Sequence, residues 1–155
     1  SFTVGTWNAR SFFCRDQTIF AKKLRYLLKH IKQFNIFCMQ EVRGSEALVK
    51  KHLRLIERTH WIFCNFPNGR TNTGGLLTFV SKCSAPEESS VDHMILVDGR
   101  ASRILIKPSN KIKTTVLDID RSRPNLYPYP RALSSKLLLS TAAIMSGKTT
   151  PPEHL

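Results

Sequence analysis

The fold is decided by two short stretches, Phe2-Thr3-Val4-Gly5-Thr6-Trp7-Asn8 and Ile36-Phe37-Cys38-Met39-Gln40-Glu41, and by the amphipathic segment that joins them. In the first stretch Phe2, Val4 and Thr6 occupy alternate positions before Trp7-Asn8, and this pattern predicts a strand. The second stretch is an unbroken apolar run before Gln40-Glu41, as expected of a strand that is buried on both faces. From Thr18 to Phe34 apolar residues recur at helical spacing, which indicates a helix. The three elements together predict a β-α-β unit.

This unit has a consequence for Asn8 and Glu41, which come at the ends of the two strands. Crossovers of this kind are right-handed and join parallel strands, often neighbouring ones. Both residues should therefore emerge at the same carboxyl edge of one sheet, where open α/β sheets usually place their chemistry. We expect the Asn8 amide and the Glu41 carboxylate to lie within a few ångströms of each other.

The motifs Thr6-Trp7-Asn8 and Gln40-Glu41-Val42, followed by Arg43-Gly44, residues 73–82 and Gly99-Arg100-Ala101, resemble a known family. It is the endonuclease/exonuclease/phosphatase superfamily, which includes deoxyribonuclease I and the abasic-site endonucleases. The chain looks most like the endonuclease domains of non-LTR retrotransposons. In that family the Asn and the Glu serve a divalent-metal phosphodiesterase site. The resemblance therefore implies that Asn8 and Glu41 are catalytic residues at a Mg²⁺ or Mn²⁺ site and that the substrate is DNA.

The residue types suit this chemistry independently of the resemblance. Mg²⁺ prefers oxygen ligands and is commonly held by one or two carboxylates together with substrate phosphates, so Glu41 is a plausible ligand. The neutral amide of Asn8 can orient a ligand or a phosphate oxygen without adding negative charge. The alternative is that Asn8 only forms a turn and that Glu41 is only a solvated carboxylate.

The chain is strongly basic, with 24 Lys+Arg against 11 Asp+Glu and a formal charge of +13. Such a balance favours polyanions through phosphate contacts and counterion release. Arg10, Arg15 and Arg43 are the candidate nucleic-acid contacts, and Arg43 is favoured because it follows Glu41 by two residues. The basic residues of the predicted helix are interpreted instead as its solvated face. They are Lys22, Lys23, Arg25, Lys29 and Lys32.

The resemblance covers only the first half of the family's domain, which is a four-layer α/β/β/α sandwich with two similar halves. The expected fold class is therefore α/β (α+β), a mixed β-sheet with flanking helices over residues 1–145 and a disordered tail over 146–155. The other predicted elements are a helix from Glu46 to Glu57 capped by Ser45, strands at His60–Asn65, Gly75–Ser81, Met94–Val97, Arg103–Lys107 and Lys113–Ile119, and a helix from Arg131 to Met145 with no strand after it.

The later family motifs, Gly-Asp-x-Asn and Ser-Asp-His, do not occur in this chain. Ser90-Val91-Asp92-His93 is similar to the second motif but is predicted to lie in a loop with no catalytic role. Where the family commonly has Asn-x-His, the chain has Asp118-Ile119-Asp120. Asp118 and Asp120 share one face of a strand. They either hold a metal as catalytic residues or mark the decay of a site that is no longer used.

Two functions follow from these observations. The first is a Mg²⁺-dependent endonuclease domain, retrotransposon-derived and incomplete, whose partner would be a missing C-terminal half or a reverse transcriptase region. The second is a catalytically inactive remnant that binds nucleic acid only through charge. The four cysteines lack C-x-x-C spacing, and no apolar run reaches membrane-spanning length. We therefore expect an intracellular, nuclear protein with reduced cysteines and no membrane association.

Overall fold

The structure, a computed structural model, describes residues 3–107, 113–119 and 142–147. Eight strands and two α-helices are formed in these ranges. They are, in chain order, β1 (Val4–Asn8), α1 (Gln17–His30), β2 (Ile36–Gln40), α2 (Glu46–His52), β3 (His60–Asn65), β4 (Leu76–Ser81), β5 (Val91–Val97), β6 (Ala101–Ile106), β7 (Lys113–Ile119) and β8 (Ala142–Gly147). Short 3-10 helices add Ile31–Gln33, Ile56–Arg58 and Glu88–Ser90.

The first sheet confirms the predicted β-α-β unit. Its strand order is β1-β2-β4-β3, and β1 pairs with β2 in parallel, from Val4 opposite Ile36 to Asn8 opposite Gln40. The other pairings in this sheet are antiparallel, so the sheet is mixed. The connecting helix begins where Asp16 accepts hydrogen bonds from the amides of Thr18 and Ile19, which satisfies two donors of the first turn.

The second sheet has the order β5-β6-β7-β8 and is antiparallel throughout. It packs against one face of the first sheet through a buried cluster that includes Cys38, Val80, Ile104 and Val116. The other face of the first sheet carries both helices, with Leu27 of α1 in the core. The chain therefore has an α+β fold of three layers, helices over a mixed sheet over an antiparallel sheet. All five residues of β2 are buried between these layers, as predicted.

One prediction was wrong at the C-terminal end. Ala142–Gly147 forms β8, paired with β7, where the last residues of a helix from Arg131 to Met145 and then a tail were expected. A short apolar run such as Ala142 to Met145 has no periodicity that separates a strand from a helix. The open edge of β7 decides between them, because its backbone groups need a hydrogen-bonding partner. Residues 131–141 of the predicted helix and 148–155 of the predicted tail lie outside the described residues.

Several boundaries also differ from the prediction, among them β6, which spans Ala101–Ile106 where Arg103–Lys107 was expected. The helix from Thr18 ends at His30 and is followed by a 3-10 turn, and α2 ends at His52 rather than Glu57, with Ser45 as its N-cap as predicted. Strand β5 begins at Val91, so Val91-Asp92-His93 lies in a strand and not in a loop. The reason is that Val91 inserts its side chain into the core between the sheets.

We predict that acid destabilises the fold through two histidines. Burial lowers the pKa of both His60 and His93 from the usual value of 6.5. The folded chain then binds fewer protons than the unfolded chain, so the free energy of unfolding should fall as the pH drops below about 6.5 and towards the lowered pKa values. Urea unfolding on either side of this value measures the effect. The His60→Gln/His93→Gln double variant should lose less stability, and an equal loss would contradict the prediction.

Candidate functional site

The side chains of Asn8 and Glu41 meet at the carboxyl edge of the first sheet. Asn8 Nδ2 donates a hydrogen bond to Glu41 Oε1 at 2.9 Å. Asn8 is the last residue of β1, and Glu41 follows the last residue of β2, which lies opposite Asn8 in the parallel register. The expected juxtaposition of an amide and a carboxylate is therefore confirmed.

Both ends of the Asn8 amide are used. Its Oδ1 accepts a hydrogen bond from the backbone N–H of Arg10 at 3.1 Å, which turns its NH₂ group towards Glu41. Glu41 is half-buried, with a side chain 16% exposed, whereas the Arg43 side chain is 45% exposed. Arg43 Nη2 lies 3.7 Å from Glu41 Oε2. Glu41 Oε1 thus accepts a hydrogen bond from the neutral amide of Asn8, and Glu41 Oε2 faces the Arg43 guanidinium.

The backbone around this pair adopts an unusual conformation. Arg10, Ser11, Glu41 and Arg43 have φ values of 43°, 67°, 51° and 49°, and they are the non-glycine residues with positive φ in the described part of the chain. Each such residue costs about 1–3 kcal/mol and persists only where its surroundings determine it. The Ser11 N–H donates to Glu41 O at 2.8 Å, which links the two strained segments to each other. Strain of this kind clusters at functional sites.

Lys23 holds the first of these segments. Its Nζ donates to the carbonyl oxygens of Ala9, Arg10 and Ser11 at 2.8, 2.7 and 2.9 Å. The interpretation of Lys23 as part of a solvated helix face was wrong, since the residue is half-buried. A signal was present in the sequence, because Phe20, Lys23 and Leu27 share one face of α1 at helical spacing and the two apolar residues are buried. A cation within an apolar stripe needs a partner, and here the partner is the backbone next to Asn8.

A second chain of contacts holds the segment that carries Arg43. The N–H groups of Val42 and Arg43 donate to the carbonyls of Gly75 and Gly74 at 3.0 and 2.9 Å, and Gly75 N–H donates to Gly99 O at 2.9 Å. Glycine is required at position 74, where φ is +61° and an added Cβ would come within 2.8 Å of Gly99 O.

Asn65 fixes Gly99 in turn. The buried amide of Asn65 accepts from Gly99 N–H at 2.6 Å and donates to the carbonyls of Val97 and Ala101. This anchoring was not predicted from the sequence. The Arg100 guanidinium lies beside Gly74, where an added Cβ would come within 3.3 Å of it. Since the Gly74 carbonyl accepts from the Arg43 N–H, Arg100 is a basic residue next to the segment that carries Arg43, and sequence reasoning missed it.

The predicted basic residues divide into two groups. Arg10 and Arg43 are exposed and belong to the two strained segments beside Glu41. Arg15 lies elsewhere, on a cavity lined also by Phe13 and His52. The first group lies in the segments that flank Glu41, whereas Arg15 lies on that cavity.

Asp118 has hydrogen-bonding partners of its own, on the two neighbouring strands of the first sheet. Asp118 is fully buried between the two sheets, where its oxygens accept hydrogen bonds from Gln40 Nε2 at 2.8 Å and Thr78 Oγ1 at 3.0 Å. The carboxylate therefore joins the two sheets. Burial, and secondarily the charge of Asp118, raise the pKa of the Cys38 thiol well above its usual value. Asp120 lies outside the described residues.

The oxygen atoms at this edge fit a metal ion that is bound partly by the protein and partly by a substrate phosphate, and not one that is bound by protein ligands alone. Within the described ranges there is no group of three or more His, Cys, Asp or Glu side chains that could hold a metal ion. Glu41 offers one carboxylate, with Asn8 beside it. Mg²⁺ is commonly held by one or two carboxylates, waters and substrate phosphates, so one oriented carboxylate is compatible with such an ion when a phosphate is present.

Comparison with known proteins assigns neither a family nor a function to the chain. No protein-family model matches the chain, and no curated protein matches it. In the described part of the chain, none of the helices has the length and apolar character needed to cross a membrane. The interpretation of the site therefore depends on its residues and their arrangement.

We predict that Lys23→Met destabilises the chain by about 1–3 kcal/mol, the range for loss of hydrogen bonds to a charged group, since two of the three carbonyl acceptors are partly buried. Methionine keeps the aliphatic stem but removes the donor to three carbonyls. Amide hydrogen exchange should accelerate at Ser11, and the side-chain NH₂ resonance of Asn8 should shift. Denaturant unfolding and NMR spectroscopy measure these effects. Lys22→Met, at an exposed neighbouring position, is the matched control. Equal effects of the two substitutions would contradict a positioning role for Lys23.

Proposed function

We propose that the edge formed by Asn8, Glu41 and Arg43 binds a phosphodiester group of DNA together with Mg²⁺, with Mn²⁺ as a substitute. The hydrogen bond from Asn8 to Glu41 is the observation that carries this proposal, because it orients the carboxylate at the open edge of the sheet. The reaction class is metal-dependent phosphodiester hydrolysis by an endonuclease of the retrotransposon type. A nuclear site of action follows from a chromosomal DNA substrate.

The charges of the site suit a phosphate and a cation together. Arg43 is exposed and lies 3.7 Å from the carboxylate, too far for a short ion pair, so its guanidinium can turn towards an incoming phosphate. Glu41 supplies the negative charge that a cation needs. Asn8 keeps this charge in place without adding another one that would repel the substrate. A bound Mg²⁺ would polarise the phosphoryl oxygen and neutralise developing charge.

The described residues do not supply every part of such a reaction. The only side-chain partners of the Glu41 carboxylate in the described ranges are Asn8 and Arg43, and neither is an ordinary general base. A general base contributes about two to four orders of magnitude in rate. We therefore propose that hydrolysis needs further residues at this edge, from outside the described ranges, from a C-terminal half or from a reverse transcriptase region. For the described residues alone we propose metal and phosphate binding.

A second candidate function is binding of nucleic acid by charge alone. It is favoured by the net charge of +13 and because, among the residues that the structure describes, Glu41 is the one carboxylate at the site. In this case Glu41 would contribute nothing to affinity. The two functions therefore differ in whether a metal ion and Glu41 matter.

We predict that Glu41→Gln weakens DNA-dependent Mn²⁺ binding by at least about tenfold, since loss of even an outer-shell partner of a metal typically costs that much. Titration of the chain and a short duplex with Mn²⁺, followed by electron paramagnetic resonance of the free ion, measures the affinity. Glu46→Gln removes the same charge at an exposed position on α2 and should have little effect. If both variants bind Mn²⁺ like the parent chain, the metal site is wrong and charge-only binding is favoured.

We also predict non-specific DNA binding that weakens steeply as salt rises, without nicking of supercoiled plasmid in Mg²⁺ or Mn²⁺. Duplex titrations at two salt concentrations and a nicking assay beside Glu41→Ala measure both properties. Salt-independent binding would contradict phosphate-dominated contact. Nicking that disappears in Glu41→Ala would contradict this prediction and show that the 155-residue chain suffices for hydrolysis.

A further inference from the structure

A cavity of about 350 Å³ lies between the segment after β1 and the last turn of α2. Three aromatic rings form its wall, those of Phe13, Phe20 and His52. Their centroids are 6.1 Å apart for Phe13 and Phe20, 4.9 Å for Phe20 and His52, and 6.1 Å for Phe13 and His52. Phe20 is buried, whereas Phe13 and His52 are only half-buried, so the latter two rings present surface to a ligand.

The rim of the same cavity is cationic. Arg15 and Lys51 line it, both are exposed, and neither takes part in an ion pair with another residue that the structure describes. No carboxylate lines the cavity within the described ranges. Gln17 adds an amide whose Nε2 donates to Arg15 O at 3.4 Å. The lining therefore combines an apolar aromatic surface with two cations.

The cavity adjoins the candidate site. The Phe13 N–H donates to Val42 O at 3.4 Å, and the Phe13 ring lies so close to Gly44 that an added Cβ there would come within 2.4 Å of it. Phe13 thus packs directly against the segment that carries Glu41 and Arg43. The cavity is therefore the surface next to this segment on which a neighbouring nucleotide of a strand bound at Glu41 would lie.

We propose that this cavity binds an unpaired nucleotide of a nucleic-acid strand, with the base against Phe13 and His52 and a phosphate beside Arg15 and Lys51. Aromatic side chains hold bases by stacking irrespective of sequence, and cations supply the phosphate contacts. A neutral aromatic ligand would leave the cations unused, and an inorganic anion would leave the rings unused. The assignment to a strand rests on the proposed function, whereas binding of a nucleoside phosphate depends on the cavity alone.

The test follows the His52 ring resonances by NMR during titration with adenosine monophosphate, adenosine, inorganic phosphate and a short single-stranded oligodeoxyadenylate. All titrations omit divalent metal. A failure of nucleotide binding here therefore does not bear on the Mn²⁺ site at Glu41, and a failure of the Mn²⁺ experiment does not bear on this cavity. Adenosine monophosphate should shift the His52 resonances and bind at least about fivefold more tightly than adenosine or phosphate. The oligonucleotide should bind more tightly than the mononucleotide. Equal binding of the two would overturn the assignment to a strand.

Two variants separate the base from the phosphate. Lys51→Ala should lower the affinity for adenosine monophosphate towards that for adenosine, whereas Lys29→Ala, with the same loss of charge at an exposed position in the last turn of α1, should not. Phe13→Leu should lower the affinity for adenosine and leave that for phosphate unchanged. No shift at His52, an equal response to phosphate alone, or equal losses in Lys29→Ala and Lys51→Ala would overturn the proposal.

Discussion

The parallel pairing of β1 with β2 is the constraint on which the rest of the site depends. Its register sets Asn8 opposite Gln40, so the segments that leave the two strands start at the same level. Parallel strands require a crossover, and α1 supplies it. The same helix covers the sheet with Phe20 and Leu27 and directs the Lys23 ammonium to the carbonyls next to Asn8. Helix α1 thus connects the two strands, buries one face of the sheet and positions the backbone next to Asn8.

Polar groups buried between the sheets fix how the two sheets are placed against each other. Gln40 and Thr78 of the first sheet donate to Asp118 of the second, and Asn65 donates to the hydroxyl of Ser102. Apolar contacts tolerate small displacements, but a buried polar group that loses its partner costs about 1–3 kcal/mol. These hydrogen bonds therefore favour a single alignment of the sheets. Among the side-chain nitrogen and oxygen atoms of the described residues, only Gln40 Oε1 is buried without a hydrogen-bonding partner.

The parts that were predictable from the sequence are the local ones. The spacing of apolar residues predicted β1, α1 and β2. The handedness of β-α-β crossovers then predicted that Asn8 lies beside Glu41, as the structure shows. The parts that were not predictable depend on residues far apart in the chain. Strand β8 exists because β7 offers an open edge, and Asp118 is buried because Gln40, 78 residues away, donates to it. The role of Lys23 needed the path of the backbone after β1, which no periodicity encodes.

The left-handed backbone conformation of Glu41 lowers the stability of the fold at the residue that carries the carboxylate of the candidate site. With φ at 51°, position 41 favours glycine or asparagine, either of which adopts this conformation more readily than glutamate. Selection for stability alone would therefore drive the carboxylate out of this edge. Residues that fit this backbone best therefore lack the negative charge that a cation needs. The glutamate found here is then a residue whose conformational cost is tolerated for some benefit other than folding.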